Sequence, residues 1–361
     1  MGRYHIDITT RTFHFKEPAG TSRGVYRTRV SRFVHLTCDD MPGIVGVGEC
    51  APLPQLSCDD VPDYDAVLRR HCDDVCARGA IDIDALRDVP SMLFGLETAW
   101  RQLHLGGSTA LSDTPFARGE EGIPINGLVW MGDFETMAAR LEQKLAQGFS
   151  CVKIKIGAID FSDEIALIRR LRDRYGSDRI ELRVDANGAF SPSEAMDRLQ
   201  QLAQHEIHSI EQPIMAGQWQ AMARLCESSP LPIALDEELI GVNMPDDKRR
   251  LLDTICPRYI ILKPSLHGGE AGCKEWIDLA RERGIGSWIT SALESNVGLN
   301  AIAHLAAAVY GPHITMPQGL GTGQLFTDNI DTVPIAIRGD RLWYLAISQK
   351  PLAILYADAN P

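Results

Sequence analysis

No apolar stretch in this chain approaches the about 18 residues that a membrane span needs, so no membrane partner is expected. Residues 1–10 are polar and charged and lack the hydrophobic segment of a secretory leader, and Ile6 breaks the myristoylation pattern that Gly2 begins. Positive charge is in short supply: 36 Lys and Arg stand against 48 Asp and Glu, a formal charge of −12, which makes nucleic acid and anionic membranes poor partners. The nine cysteines include no CxxC pair and none of the paired spacings of a zinc ribbon, so a reducing compartment, the cytoplasm, is expected. Cys72 and Cys76, four apart on a helical face, read as packing residues. Phosphate-binding signatures are missing too. No Gly-Lys-Ser/Thr follows the glycine-rich stretches, and Val129-Trp130-Met131-Gly132 is not the glycine-rich first turn of a dinucleotide fold. An anionic substrate therefore has to be held by local cations or a metal, which directs attention to buried lysines.

What is present is enough for one large barrel and a smaller domain: 361 residues, 45% hydrophobic. Residues 3–38 alternate as strands around a Pro18-Ala19-Gly20 turn, 44–48 continue the meander into a proline-rich loop at 49–57, and helical spacing follows over 61–77 and 90–104. The rhythm then changes to short apolar runs at 123–129, 151–156, 180–184, 209–210, 233–235, 259–262, 286–289 and 313–315, with helical stretches between them such as 134–147, 164–175, 193–205 and 270–283. Eight such runs with helical crossovers predict a (β/α)8-type barrel over 120–330, behind an N-terminal α+β capping domain over 1–110. Strand-like segments at 341–345 and 352–356 predict that 333–361 returns to the N-terminal domain.

The residues ending these runs carry chemistry. Lys153 and Lys155 lie on the second, Arg183, Asp185 and Asn187 end the third, Glu211 the fourth, Asp236 and Glu237 the fifth and Lys263 the sixth. The spacings of 30 (155 to 185), 26 (185 to 211), 25 (211 to 236) and 27 (236 to 263) residues each match one βα unit, so all five positions fall on the C-terminal rim, where barrel enzymes do their chemistry. Three carboxylates from consecutive strands, Asp185, Glu211 and Asp236, repel unless a cation sits among them, and all-oxygen ligation favours Mg²⁺ over Zn²⁺. Glu237 is either a fourth ligand or points outward by strand alternation. Lys155 and Lys263 flank the expected ion as candidate bases, and Lys153, of the same parity as Lys155, either depresses its pKa or contacts a carboxylate ligand. Arg183 reads equally as a clamp for a substrate carboxylate or as a buried structural ion pair. The turns containing Ser291 and Glu294, and Gly321 and Thr322, offer backbone N–H groups for a carboxylate.

Lys153-x-Lys155, Asp185-Ala-Asn187, Glu211-Gln-Pro213, Asp236-Glu237 and Lys263-Pro264, in this order over essentially the whole chain, resemble the muconate-lactonizing-like branch of the enolase superfamily. The resemblance implies a cap whose loops, here 20–26 and 49–57, close over the barrel mouth, and Mg²⁺, with Mn²⁺ as a substitute, as cofactor. Within the branch, 48–54, 291–296 and 319–324 look like the corresponding stretches of the synthases of menaquinone biosynthesis, and the Asp-x-Asp with which dipeptide epimerases grip an ammonium is missing. This implies a small carboxylate substrate, 2-succinyl-6-hydroxy-2,4-cyclohexadiene-1-carboxylate, and loss of water to give 2-succinylbenzoate. Lys155 would take the α-proton and return it to the departing hydroxyl, with Lys263 as a cation. N-succinylamino-acid racemases and dipeptide epimerases of the branch share these residues, so that alternative stays open; a homo-oligomer is compatible with the sequence.

Overall fold

The computed structural model describes residues 2–21 and 24–346. Its first three strands, β1 (Tyr4–Thr21), β2 (Gly24–Cys38) and β3 (Gly46–Cys50), form an antiparallel sheet in the order β1-β2-β3. Ile6, Val34, Leu36 and Cys50 turn one face of it toward α1 (Tyr64–Arg78) and α3 (Pro90–His104), where Leu68, Cys72, Met92, Leu96 and Leu103 complete the core; α2 (Ile83–Leu86) is a single turn between the longer helices. The turn expected at Pro18-Ala19-Gly20 is not one. β1 runs through it and pairs Ala19 with Tyr26, its register against β2 shifting between His14 and Ala19, so the proline sits in an irregularity within the strand. That is where a residue without a backbone donor is tolerated.

The sheet and α3 approach more closely than side chains permit. A Cβ on Gly48 would lie 1.8 Å from the Gly95 carbonyl oxygen, and one on Gly46 1.9 Å from that of Ala99. Backbone meets backbone there, which fixes the distance between the two layers.

Beyond residue 122 the strands become short, and seven of them are parallel and largely apolar, as a sheet covered by helices requires. β4 (Ile123–Pro124) is followed by β5 (Gly127–Val129), and then β6 (Cys151–Lys155), β7 (Glu181–Asp185), β8 (Ser209–Glu211), β9 (Ile233–Leu235), β10 (Tyr259–Leu262) and β11 (Gly286–Ile289) join β5 in a seven-stranded sheet ordered as in the sequence. The crossovers are α4 (Phe134–Ala146), α5 (Phe161–Arg172), α6 (Ala195–Ala203), α7 (Trp219–Ser228), α8 (Pro245–Ile255) and α9 (Gly269–Glu282), with α10 (Asn296–Tyr310) after β11. Local signals start them where expected: the Asp133 carboxylate accepts from Thr136 N ahead of α4, and Pro245 opens α8.

The eighth strand differs from expectation. Residues 313–315 are not a strand; His313 has a left-handed φ of 66° and follows Pro312. Gln318 and Gly319 take that place as two single parallel bridges, to Ile125 and Thr290. Because consecutive residues reach both edges of the seven-stranded sheet, the sheet curls round on itself. The first run is also divided, since β4 leaves the parallel sheet and pairs with β13 (Arg341–Tyr344), which pairs in turn with β12 (Ile335–Arg338). The strand at 341–344 thus joins β4 instead of the N-terminal sheet, and 352–356 lie outside the described residues. Among the described residues no helix is long and apolar enough to cross a membrane.

Substituting Gly48→Ala is expected to lower the unfolding free energy by about 3 kcal/mol, because the new methyl meets helix backbone that cannot yield as a side chain could. Urea titration of the two proteins checks this; a loss below about 1 kcal/mol would mean that β3 and α3 part without cost.

Candidate active site

The parallel ladder sets the first row of the site. Lys155 is paired with Asp185, Asp185 with Glu211, and Glu211 with Ala234, so the terminal residues of β6, β7 and β8 stand side by side. Asp236 follows β9 and Lys263 follows β10 directly. All five predicted rim residues share one end of the sheet, and Asp185, Glu211, Asp236 and Lys155 are buried.

Their contacts are mutual. Lys153 Nζ donates to Asp185 Oδ2 at 3.0 Å and to Glu211 Oε2 at 2.7 Å. Lys155 Nζ donates to the same Asp185 oxygen at 2.9 Å and to Asn187 Oδ1 at 2.6 Å, and lies 5.8 Å from the centre of the Trp130 ring. Lys263 Nζ pairs with Asp236 Oδ2. Asn187, held at a positive φ of 45°, donates from Nδ2 to Glu237 Oε1 at 2.8 Å and from its backbone N–H to Asp185 Oδ1 at 3.0 Å. Of the two readings of Lys153, the structure shows the contact with carboxylates. Of the two readings of Glu237, it shows the inward one.

Burial would push the Lys153 ammonium down, but Asp185 and Glu211 outweigh it and hold its pKa above the ordinary lysine value. Lys263 is raised in the same way, burial being overcome by Asp236, Glu211 and Glu237. Burial also acts on Asp185, yet Lys153 and Lys155 keep it below the usual carboxylate range. Glu211 goes the other way, pushed up to about 8 by burial and by the neighbouring Asp185 charge. Asp236 and Glu237 are likewise raised by burial.

These ion pairs revise the charge argument for a metal. Three lysines already face the carboxylates, so repulsion alone does not demand a further cation, and among the described residues no three acidic, histidine or cysteine side chains stand in a ready ligating array. The stronger indication is what the lysines leave over. The Glu211 and Asp236 carboxyls are within hydrogen-bonding reach of each other, but neither can donate when ionised, and Glu211 Oε1, Asp236 Oδ1 and Glu237 Oε2 are buried without a hydrogen-bond partner. Counting Glu237, four carboxylates face three ammoniums. Buried carboxyl oxygens without a hydrogen-bond partner fit a hard divalent cation, whose charge would hold these groups ionised against their burial.

Above this cluster opens a cavity of about 490 Å³. The parallel strands and the residues next to them line it with Asn126, Leu128, Trp130, Lys153, Lys155, Asn187, Glu237 and Lys263, the later turns with Thr290, Ser291, Gly321 and Thr322, and the N-terminal sheet with residues 15–19. From the two expected cap loops, Leu53 and Leu56 of 49–57 reach the cavity, and the hairpin contributes 15–19; of the expected loop 20–26, residues 22–23 lie outside the described residues. Thr322 Oγ1 is buried without a partner at this wall.

Two predicted contacts are elsewhere. Arg183 does point inward, but below the site: its guanidinium donates to Glu181 Oε1 at 2.7 Å and to the Pro317 carbonyl at 2.9 Å and stacks 4.3 Å over Trp288, which is the structural alternative. Glu294 is buried behind the wall, accepting from the hydroxyls of Ser265 and Ser291 and from Ala292 N. Sequence reasoning missed Trp130, Asn126 and Thr290. Trp130 and Thr290 immediately follow β5 and β11, so the rule that found Lys263 applies to them as well.

Residues 136–344 match the Enolase C-terminal domain-like family. The chain is 47% identical to an o-succinylbenzoate synthase of Desulfotalea psychrophila, over 88% of this chain and 92% of that protein. It is 27% identical to the L-Ala-D/L-Glu epimerase of Bacillus subtilis, over 81% of each. The crystal structure of MenC from Desulfotalea psychrophila LSv54 superposes with a TM-score of 0.79 at 40% identity, covering 94% of this chain and 99% of the other. With lysines on β6 and after β10, and carboxylates on β7, β8 and after β9 at one rim of a parallel sheet, the chain belongs to the enolase superfamily.

Proposed function

We propose that the chain is an o-succinylbenzoate synthase, a carbon–oxygen lyase that removes water from 2-succinyl-6-hydroxy-2,4-cyclohexadiene-1-carboxylate. The observation that carries the reading is the pair Lys155 and Lys263. Both line one cavity, from positions four strands apart in a curled sheet, above three buried carboxylates. The closer likeness to the synthase than to the epimerase supports dehydration over racemisation.

In this reading Lys155 takes the proton α to the substrate carboxylate and passes it to the departing hydroxyl on the same face. The carbon–oxygen bond breaks, water leaves, and the ring becomes aromatic, which supplies much of the driving force. Lys263, held protonated by its carboxylate neighbours, faces the negative charge that builds up after proton removal. Lys153 anchors Asp185 and Glu211. Asp185, Glu211 and Asp236 would hold Mg²⁺ or Mn²⁺, with Glu237 as a further ligand candidate, and the ion would supply Lewis-acid stabilisation of charge on the substrate carboxylate. Ser291, Gly321 and Thr322, which line the cavity, would meet the polar ends of the substrate, and Trp130 would offer a flat face to its ring. Residues 1–110 act as the cap and 120–330 as the catalytic barrel, the bridges at Gln318 and Gly319 standing for its eighth strand. Nine free cysteines support a reducing, cytoplasmic setting.

Stripping divalent ions with EDTA is expected to abolish dehydration, and Mg²⁺ or Mn²⁺ to restore it; full turnover by metal-free enzyme would remove the role given to the carboxylates. Calorimetric titration should show that Asp185→Asn loses most Mg²⁺ affinity while circular dichroism stays unchanged, and stoichiometric binding by this variant would place the ligands elsewhere.

The lysines separate dehydration from racemisation. Lys155→Arg is expected to lose about 10³-fold or more in kcat, because a guanidinium cannot accept the α-proton. Lys263→Arg keeps the positive charge and should retain measurable dehydration. Robust turnover by Lys155→Ala would refute the base assignment, and α-proton exchange in ²H₂O on both stereoisomers of an N-succinylamino acid, lost on one side in Lys263→Arg, would move the reading to a racemase.

A further inference from the structure

We infer that His267, a neutral imidazole bonded to the backbone N–H of Lys263, is a positioning residue that fixes the direction of the Lys263 side chain; its catalytic relevance rests on the dehydratase reading above. Lys263 is the first residue beyond β10, and Pro264 follows it, so the strand ladder no longer determines its backbone. One residue takes over that work. The Lys263 carbonyl accepts from His267 N at 3.0 Å and from Leu266 N at 2.8 Å, and the Lys263 N–H donates to His267 Nδ1 at 2.9 Å. Both backbone polar groups of the lysine are thus closed by position 267.

The bond also determines the tautomer. A nitrogen that accepts from Lys263 N–H carries no proton, so the proton of the neutral ring is on Nε2. Nε2 is buried without a hydrogen-bond partner in a side chain 1% exposed. Stranding a donor in this way is unfavourable, and a leucine would fill the same space without it. What leucine cannot do is accept from Lys263. Burial, with Lys263 and Lys248 nearby, keeps the imidazole well below its ordinary pKa, so the ring stays an acceptor. The backbone at 267 is closely packed as well, because a Cβ on Gly272 would lie 2.3 Å from the His267 carbonyl oxygen.

Two near-isosteric variants separate this role from simple packing. An Asn side chain places its carbonyl where Nδ1 lies, whereas Gln places its amide near Nε2, out of reach of Lys263 N–H. His267→Asn is expected to keep kcat within about threefold of wild type, and His267→Gln to lose about tenfold or more in kcat with KM within about twofold. Equal kcat for His267→Gln and wild type would overturn the proposal, as would equal losses in both variants at matched melting temperature. If either variant fails to fold, ¹⁵N-histidine spectra of the wild-type protein at neutral pH decide. The expected signal is an unprotonated Nδ1 with hydrogen on Nε2; an Nδ1–H tautomer or an imidazolium would overturn the proposal. That measurement needs no substrate, so a wild-type enzyme inactive on the cyclohexadiene would remove the functional reading and leave this test intact.

Discussion

The register of three parallel strands is the constraint from which the rest of the site follows. A sheet covered by helices on its outer face and closed on its inner one is normally apolar throughout. Here β6, β7 and β8 carry Lys153, Lys155, Arg183, Asp185 and Glu211 into that interior. They are tolerated because the ladder puts Lys155 beside Asp185 at hydrogen-bonding distance, while Lys153 bridges the like charges of Asp185 and Glu211, which are also paired. Side chains alternate between faces along a strand, so a slip of one residue would turn both lysines outward and leave the acids unpaired. Folding to the right register and assembling the charge cluster are one event.

The N-terminal sheet is fastened to this framework by charge as well as by apolar contact. Glu49, at the end of β3, accepts from Ser295 N at 3.0 Å and Gly298 N at 2.9 Å, and Glu97 of α3 accepts from Glu270 N at 2.6 Å and Ala271 N at 3.0 Å. Each carboxylate therefore sits at N–H groups left without a partner inside the helix at the start of α10 in one case and α9 in the other, where the helix dipole favours negative charge. Arg29 adds a third tie, donating to the carbonyls of Ala51 and Pro52 on one side and Ala292 and Leu293 on the other. Phe13, Phe33, Leu53, Leu266, Leu293 and Phe326 pack between the two layers.

The rim residues were legible in the sequence because each belongs to a strand end and the intervals match the length of a βα unit. That arithmetic needs no knowledge of loops. Arg183 shows its limit: parity correctly turns the side chain inward but does not say at which depth a partner waits, and Glu181 and Trp288 lie nearer than the cavity. Glu294 lies behind the cavity wall for a related reason, since a polar residue in a glycine- and serine-rich turn can serve the turn itself, as its bonds to Ser291 and Ala292 do. The eighth strand was misplaced because two bridging residues, Gln318 and Gly319, leave no periodic pattern, while the β-branched pair Ile314 and Thr315 imitates one. The contribution of 15–19 to the cavity was hidden by Pro18, whose ordinary meaning is a turn.

The segment from Thr290 to Gly298 serves two masters. Its first residues face the cavity, its middle carbonyls hold Arg29, and its last N–H groups hold Glu49. These ties are to the backbone, so an exchange of side chains that displaced it would also shift the joint between the N-terminal sheet and the parallel sheet. A change in this loop is therefore coupled to Arg29 and Glu49, some 250 residues away in the sequence.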